Sequence, residues 1–394
     1  MDGADVTKSI TILGATGSIG ASTLDVIDRH PDRYSVHALT ANRNTGALLE
    51  LCRRYQPEIA VVADESLAAG FGRQVREAGL TTRVLCGQSG LCEAAADGGT
   101  DVVMAAIVGA AGLTPTLAGV NAGKQILLAN KEALVMSGSL FMSAAREAGV
   151  SLLPIDSEHN AIFQCLANGA ESHAGGVRRL MLTASGGPLL RLPMEDMVKV
   201  TPDEAVAHPN WDMGRKISVD SASMMNKGLE LIEASLLFDM PPSQIDVVIH
   251  PQSIVHSMVE YVDGSVVAQL GNPDMRTPIA HALGWPDRVD SGVSSLDLIA
   301  AADLSFEPAD MARFPCLRLC REVADEAQVH KIALNAANEI AVEAFLSELI
   351  PFTAIPTIIA SVLEQTSSIQ VLTIEDVLSA DAEARARARE QLPS

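Results

Sequence analysis

Residues 8–13, KSITIL, run directly into GATGSIG and then into STLDVIDRH. A short β-branched apolar run reads as a buried strand, and the wider spacing of Leu24, Val26 and Ile27 reads as a helix. The glycines between them, Gly14, Gly17 and Gly20, allow a tight turn and a close backbone approach. A strand that ends in such a turn and opens a helix suits a phosphate, because the first N–H groups of a helix lack partners within it. Thr16, Gly17, Ser18 and Ile19 are placed to offer those groups to a pyrophosphate. The spacing is GxxGxxG and not the dehydrogenase GxGxxG, so a ligand-free βα turn is the competing reading.

The next strand, YSVHALT, ends at Asn42-Arg43-Asn44. NAD-binding units place an Asp or Glu here for the ribose 2′-hydroxyl. This chain has Arg43, whose guanidinium suits a 2′-phosphate and favours NADP; a solvated surface arginine is the bland alternative. Strands are then expected at Ile59–Val62, Arg83–Leu85, Val102–Ala105 and Gln125–Leu128. Helices are expected at Thr45–Arg54, Ser66–Glu77, Leu91–Ala96, Thr114–Ala122 and Glu132–Ala148. Repeated βα units imply a parallel doubly wound sheet, whose ligands lie beyond the carboxyl ends of the strands. Asn130, Lys131 and Glu132 stand at one such end. They also fit a helix start, with Asn130 as cap and Glu132 in the first turn.

A short strand, Ser151–Ile155, precedes Asp156-Ser157-Glu158. Two carboxylates two residues apart at a strand end can converge on Mg²⁺ or Mn²⁺. They equally fit a helix cap followed by an acidic first turn, and a third carboxylate elsewhere decides between the two. The strand VRRLMLTA (177–184) leads to Ser185-Gly186-Gly187-Pro188, a possible anion nest. Then comes HPNWDMGRKISVDSASMMNKGLE, His208 to Glu230, which gathers hydroxyls, amides, cations and a carboxylate without helical apolar periodicity. Within it Asn226, Lys227 and Glu230 share a helix face, and Ser221 lies shortly before them. A phosphate at Asn226 and Lys227 would neighbour a cation at Glu230, the candidate third carboxylate.

Strands at Asp246–Ile249, Ile254–Tyr261 and SVVAQL (265–270) look antiparallel, with an exposed face that could pair two copies. Residues 286–314 lack periodicity and read as a linker. The remainder reads as helices that form a bundle. The expected organisation is therefore residues 1–155, 156–285 with a lid near 207–216, 286–314 and 315–394.

Composition narrows the partners. A formal net charge of −21 argues against nucleic acid and anionic membrane, and only 3% of residues are aromatic, which leaves few stacking platforms. A hydrophobic content of 48% and a mean hydropathy of +0.21 support a substantial core. The six cysteines are scattered with no CxxC, which fits reduced thiols. No run approaches the roughly 18 apolar residues of a spanning helix, so a soluble cytoplasmic protein is expected.

GATGSIG, LLANKEALV, PIDSEHNAIFQCL, ASGGP, the long HPNW…KGLE block, HPQSIVHSMVE and LNAANEIAVEAFL occur in this order. Together they resemble the 1-deoxy-D-xylulose 5-phosphate reductoisomerase family, over about residues 8–350. The resemblance implies an α/β fold with an N-terminal Rossmann-like NADP-binding domain, a central α/β catalytic and dimerisation domain and a C-terminal helical bundle. It implies the conversion of 1-deoxy-D-xylulose 5-phosphate to 2-C-methyl-D-erythritol 4-phosphate in isoprenoid synthesis by a homodimer. NADPH and Mg²⁺, Mn²⁺ or Co²⁺ would be the cofactors.

The resemblance further implies metal ligation by Asp156, Glu158 and Glu230. Substrate contacts would come from Lys131, Ser157, Glu158, Ser185, His208, Ser221, Asn226, Lys227 and Glu230. NADPH contacts would come from Thr16, Gly17, Ser18, Ile19, Arg43, Asn44, Asn130, Glu132 and Gly214. In the lid, Trp211 would cover the substrate and Met213 would lie on the nicotinamide, with Lys131 assisting proton movement or charge stabilisation. Two departures stand out: Asn42-Arg43-Asn44 replaces the family's Gly-Lys-Asn, and Leu189 stands where a Phe is common. Two rivals remain on sequence grounds, an NADP-dependent semialdehyde or homoserine-type dehydrogenase and a non-enzymatic NADP sensor. The former needs an activated cysteine if it phosphorylates, and Cys165 sits in an apolar helical run.

Overall fold

A computed structural model describes residues 7–166, 176–208, 211, 214–301 and 303–393. In the first half, strands and helices alternate as β1 (Lys8–Leu13), α1 (Ser18–Arg29), β2 (Tyr34–Ala41), α2 (Thr45–Tyr55), β3 (Ile59–Val62), α3 (Glu65–Glu77), β4 (Arg83–Cys86), α4 (Gly87–Ala96), β5 (Val102–Ala105), α5 (Leu113–Asn121) and β6 (Gln125–Leu128). There follow α6 (Lys131–Ser137), α7 (Ser139–Glu147), β7 (Leu152–Pro154) and α8 (Ser157–Cys165). The single helix expected over Glu132–Ala148 is broken at Gly138, which adopts a left-handed φ of +51°. The side chain of Gln328 explains the break: its Nε2 donates 2.8 Å bonds to the carbonyls of Val135 and Met136, the ends left open where α6 stops.

The second half runs β8 (Val177–Ala184), α9 (Pro202–Val206), α10 (Arg215–Ala222), α11 (Met225–Leu237), β9 (Ile245–Ile249), β10 (Val255–Tyr261), β11 (Val266–Leu270) and α12 (Arg276–Gly284). It ends with α13 (Leu298–Ala301), β12 (Glu307–Pro308), α14 (Pro315–Val323), α15 (Gln328–Leu346), α16 (Ala354–Glu364) and α17 (Ile374–Glu390).

The chain divides into two units, each assembled from three segments. The first comprises Met1–Ala133, Phe141–Asn160 and Met275–Val293; the second comprises Leu134–Leu140, Ala161–Asp274 and Ser294–Ser394. Boundaries near 155 and 285 are thus replaced by an interleaved division, and the C-terminal helices fall inside the second unit.

The first unit is built on a seven-stranded parallel sheet of order β4-β3-β2-β1-β5-β6-β7. Apart from the edge strand β4, whose four residues are exposed or half-buried, its strands are mostly buried, as a sheet covered on both faces requires. The chain leaves β1 toward β2 on one side and returns to β5 on the other, so the topological switch point lies beyond the carboxyl ends of β1 and β5. Helix α12 packs on α1, β6 and β7. The Arg276 guanidinium reaches Asp25 of α1 at 2.9 Å.

The second unit holds a five-stranded sheet of order β11-β10-β8-β9-β12. It is mixed: β8 and β9 are parallel, and the other pairs are antiparallel. The fully antiparallel arrangement expected here fails because the chain between β8 and β9 is long enough to carry α9, α10 and α11, which permits a crossover. Residues 286–314 are also more than a linker. They supply β12 to the sheet edge, and Phe306 stacks on His250 at 4.8 Å between ring centroids. His250 Nδ1 donates to the Ser305 carbonyl, while its Nε2 accepts from the N–H groups of Ile254 and Val255. Helix α15, buried along nearly its full length, packs against α16 and α17.

Candidate active site

In the first unit the candidate residues stand at the carboxyl ends of β1, β2, β6 and β7, as parallel-sheet geometry demands. Gly14 has a φ of +87°, and a Cβ there would sit 2.7 Å from the Ala106 carbonyl oxygen just beyond β5. A Cβ on Gly20 would meet the Ala15 backbone at 2.6 Å. The turn therefore lies flat against β5 and brings α1 close to the sheet. The Gly17 N–H donates to the Gly14 carbonyl at 3.1 Å; no side chain caps α1 at Gly17, so Ser18 and Ile19, with Thr16 just before them, lie where an anion can take up the first N–H groups of the helix. The Arg43 side chain is exposed, with Nε 3.5 Å from Asp64 Oδ2. Asn42 does not enter the left-handed region, so its place instead of glycine needs no glycine-only conformation.

Two residues expected to touch the nucleotide have side chains already committed within the protein. Asn44 caps α2 by accepting from the Ala47 N–H at 3.1 Å. The Asn130 side chain is buried, accepts from the Ala133 N–H at 3.0 Å, and donates to the carbonyls of Gly109 (2.9 Å) and Ile107. It anchors the loop that follows β5. Glu132 is buried in the first turn of α6.

The buried Lys131 ammonium lies 2.5 Å from Asp156 Oδ2. The other oxygen, Oδ1, accepts from the Glu158 N–H at 3.3 Å and lies 3.1 Å from Nδ1 of the buried His159. Asp156 thus caps α8 and pairs with a lysine at once. Ser157 Oγ donates to Glu158 Oε2 at 2.5 Å. His159 was not singled out from the sequence, although its position one turn along from Asp156 was a usable signal.

In the second unit Ser185 follows β8. Its Oγ lies 2.9 Å from His208 Nε2 and accepts the Gly187 N–H at 3.1 Å. His208 Nδ1 accepts the Trp211 N–H at 3.0 Å. Burial pushes the His208 imidazole down to about 4, so at neutral pH it is uncharged and carries its one proton on Nε2. Ser185 Oγ consequently receives two hydrogen bonds, and its own proton is directed outward to an acceptor. In the turn read as a possible anion nest, the Gly187 N–H is already taken by Ser185 Oγ. The Trp211 ring lies 6.0 Å from that of the buried His256. Gly214 is the exposed N-cap of α10. Met213, with Pro209, Asn210 and Asp212 of the expected lid, lies outside the described residues.

Ser221 ends α10 and Asn226 begins α11, but they do not share one helix. Met224, with φ +61°, turns the chain between them. On α11 the Asn226 Nδ2 donates to Glu230 Oε1 at 2.5 Å, and the buried Lys227 ammonium binds Glu230 Oε2. Asp220, also buried, accepts from Lys216 (2.8 Å) and from Asn338 Nδ2 of α15 (2.9 Å), and so fixes α10 in place. Asp220 and Asn338 were missed in sequence; the two asparagines in the apolar run LNAANEIA were the available clue.

A doubly wound parallel sheet with a glycine turn at its switch point defines a Rossmann-type α/β protein. Three family models match the chain: 1-deoxy-D-xylulose 5-phosphate reductoisomerase over residues 10–138, the C-terminal domain of the same name over 152–238, and the DXP reductoisomerase C-terminal domain over 270–387. The 1-deoxy-D-xylulose 5-phosphate reductoisomerase of Stutzerimonas stutzeri is 61% identical over 95% of this chain and 96% of its own length. That of Paraburkholderia xenovorans is 60% identical over 97% and 95%. A crystal structure of DOX-P reductoisomerase in complex with NADPH, fosmidomycin and magnesium is 50% identical, covers 97% of this chain and 98% of its own, and superposes with a TM-score of 0.93. The chain belongs to the 1-deoxy-D-xylulose 5-phosphate reductoisomerase family.

Proposed function

We propose that the residues described above carry out the reaction of the family, the metal- and NADPH-dependent conversion of 1-deoxy-D-xylulose 5-phosphate to 2-C-methyl-D-erythritol 4-phosphate. The observation that carries this reading is the identity of about 60% to curated reductoisomerases across nearly the whole chain. A solved relative binds NADPH and magnesium.

Asp156, Glu158 and Glu230 are assigned to the divalent cation. They fit it chemically: all three offer carboxylate oxygens, the donors that Mg²⁺ and Mn²⁺ take. The assignment draws support from the positively charged or amide partner each of two carboxylates keeps, Lys131 at Asp156 and Lys227 with Asn226 at Glu230. Thr16, Gly17, Ser18 and Ile19 are assigned to the NADPH pyrophosphate and Arg43 to its 2′-phosphate, supported by the uncapped helix start and the exposed guanidinium. Asn44, Asn130, Glu132 and Gly214 are assigned to the same pocket. When bound, the two cofactors supply Lewis acidity toward an α-hydroxy ketone and a hydride for the aldehyde that rearrangement yields.

The protein's own groups bind, orient and exclude water. Ser185, Ser221, Asn226 and Lys227 hold the substrate phosphate, with the Ser185 proton directed by its two incoming bonds. Ser157 contacts the substrate. Lys131 stabilises charge or moves a proton at its ammonium. His208 braces Ser185 and the Trp211 backbone, and Trp211 covers the substrate carbons. The dehydrogenase alternative loses ground because burial pushes the Cys165 thiol up to about 11, far from an activated nucleophile.

The working form is a homodimer in the cytoplasm. Edge strand β11 exposes Val266 and Val267 beside Val262, an unpaired edge that a second copy can cover. All six cysteines are free, as in a reducing compartment. Purified protein incubated with 1-deoxy-D-xylulose 5-phosphate and NADPH will oxidise NADPH only with a divalent cation present. NADPH loss that a chelator leaves unchanged, or none at all, sinks this reading.

A further inference from the structure

Three backbone segments that carry the proposed phosphate ligands meet in the second unit. The turn after β8 carries Ser185, the end of α10 carries Ser221, and the start of α11 carries Asn226 and Lys227. Backbone contacts join these segments.

Gly187, at φ +69°, packs against α10 so closely that a Cβ would lie 2.7 Å from the Ser221 carbonyl oxygen and 2.9 Å from the Ala222 Cα. The same Ser221 carbonyl accepts the Met224 N–H at 3.1 Å. Met224 is buried, and its left-handed conformation, φ +61° and ψ 13°, stands between α10 and α11, three residues before the buried Lys227. Its own carbonyl accepts the Gly228 N–H at 3.1 Å, which makes it the first acceptor of α11. Ser223 reinforces the corner by accepting from the Met225 N–H at 3.3 Å. A bulky side chain in this region of φ and ψ is costly, and such outliers persist where the surroundings over-determine them.

We infer that Gly187 and Met224 are positioning residues for the substrate phosphate, the first by lacking a Cβ and the second by holding the left-handed corner that aims α11 at the end of α10. The inference rests on the reading of Ser185, Ser221, Asn226 and Lys227 as the phosphate ligands. It assigns the geometry of that grip to two residues that touch no substrate atom.

The test compares Met224→Ile with Met224→Leu. The two are alike in volume, but a branch at Cβ resists the left-handed region far more than one at Cγ. Gly187→Ala is the independent second variant. Met224→Ile and Gly187→Ala are expected to raise KM for 1-deoxy-D-xylulose 5-phosphate about tenfold or more, with a smaller change in kcat and KM for NADPH held within about twofold of wild type. They should also lose the rise in melting temperature that inorganic phosphate gives the wild type, and Met224→Leu should recover both properties. Equal behaviour of the Ile and Leu variants, or a parallel rise in KM for NADPH, overturns the inference. Lys227→Ala is run beside them. If it changes neither substrate KM nor the phosphate response, the phosphate assignment itself has failed; if it changes both while Met224→Ile changes neither, only the positioning role has failed.

Discussion

The Lys227 ammonium and the Glu230 carboxylate are bonded to each other one turn apart on α11, with side chains only 4% and 1% exposed. Asn226 occupies the remaining oxygen of Glu230 at 2.5 Å. An ion pair this deep is rarely kept for stability alone, because desolvation offsets much of its attraction. On the proposed assignment it holds a carboxylate and an ammonium side by side, one for a cation and the other for a phosphate.

Glu230→Gln keeps the shape and one acceptor oxygen but removes the charge. Turnover should fall by at least about a hundredfold, as for lost metal ligation. NADPH affinity, measured by fluorescence titration, should stay within about twofold of wild type. A large loss of NADPH binding would move Glu230 out of the metal site.

Lys227→Met takes the ammonium away from a buried carboxylate that keeps its amide partner. Breaking a buried pair from one side costs on the order of 3–5 kcal/mol, so the urea midpoint should drop clearly. The double variant Lys227→Met with Glu230→Gln should recover part of that loss. If the double variant is less stable than Lys227→Met, the two groups are not energetically paired.

Arg43→Ala should reduce the preference for NADPH over NADH. A charge-assisted bond is worth roughly 1.5–3 kcal/mol, or roughly tenfold to a hundredfold in the ratio of kcat/KM values. Its partner Asp64 is on the surface and the guanidinium is exposed, so melting temperature should hardly change. An unchanged cofactor ratio would return Arg43 to the status of a solvated surface residue.

Burial pushes the imidazoles of His256 and His281 down to about 4. In the unfolded chain each titrates near its ordinary value of about 6.5. Between these values the unfolded state binds more protons, so stability is complete above about pH 6.5 and falls as the pH drops toward 4. Each group contributes roughly 3 kcal/mol to that loss. Urea unfolding at a series of pH values should show the slope, and His281→Gln should flatten it. A stability flat from pH 7 to about 4.5 would contradict the neutral, buried state of both rings.

Elements whose local pattern agrees with their surroundings were legible from sequence. Ile59–Val62, Val102–Ala105 and Gln125–Leu128 are strands at the expected boundaries, because continuous apolar runs of three or four between βα turns admit little else. The helix break at Gly138 was not legible, since it depends on Gln328, distant in sequence. Nor was the edge strand Glu307–Pro308, two residues with no strand pattern that are recruited by β9. At the site, residue types were readable but their obligations were not. Nothing in sequence shows that the Asn130 amide is bonded to Gly109, and Asp220 gives no hint of Asn338.

The interleaving of the two units has a consequence for synthesis. The chain changes unit five times, and helix α12, which clasps α1 through Arg276 and Asp25, is translated only after β8 to β11. The seven-stranded sheet must therefore wait on the ribosome, one flank unfinished, while most of the second unit's sheet emerges. A fragment cut at 155 contains every strand of that sheet and still lacks the helix that packs on β6 and β7. Such a fragment should be recovered soluble only when the missing helix is supplied, on a separate peptide or by a permuted chain that moves it forward.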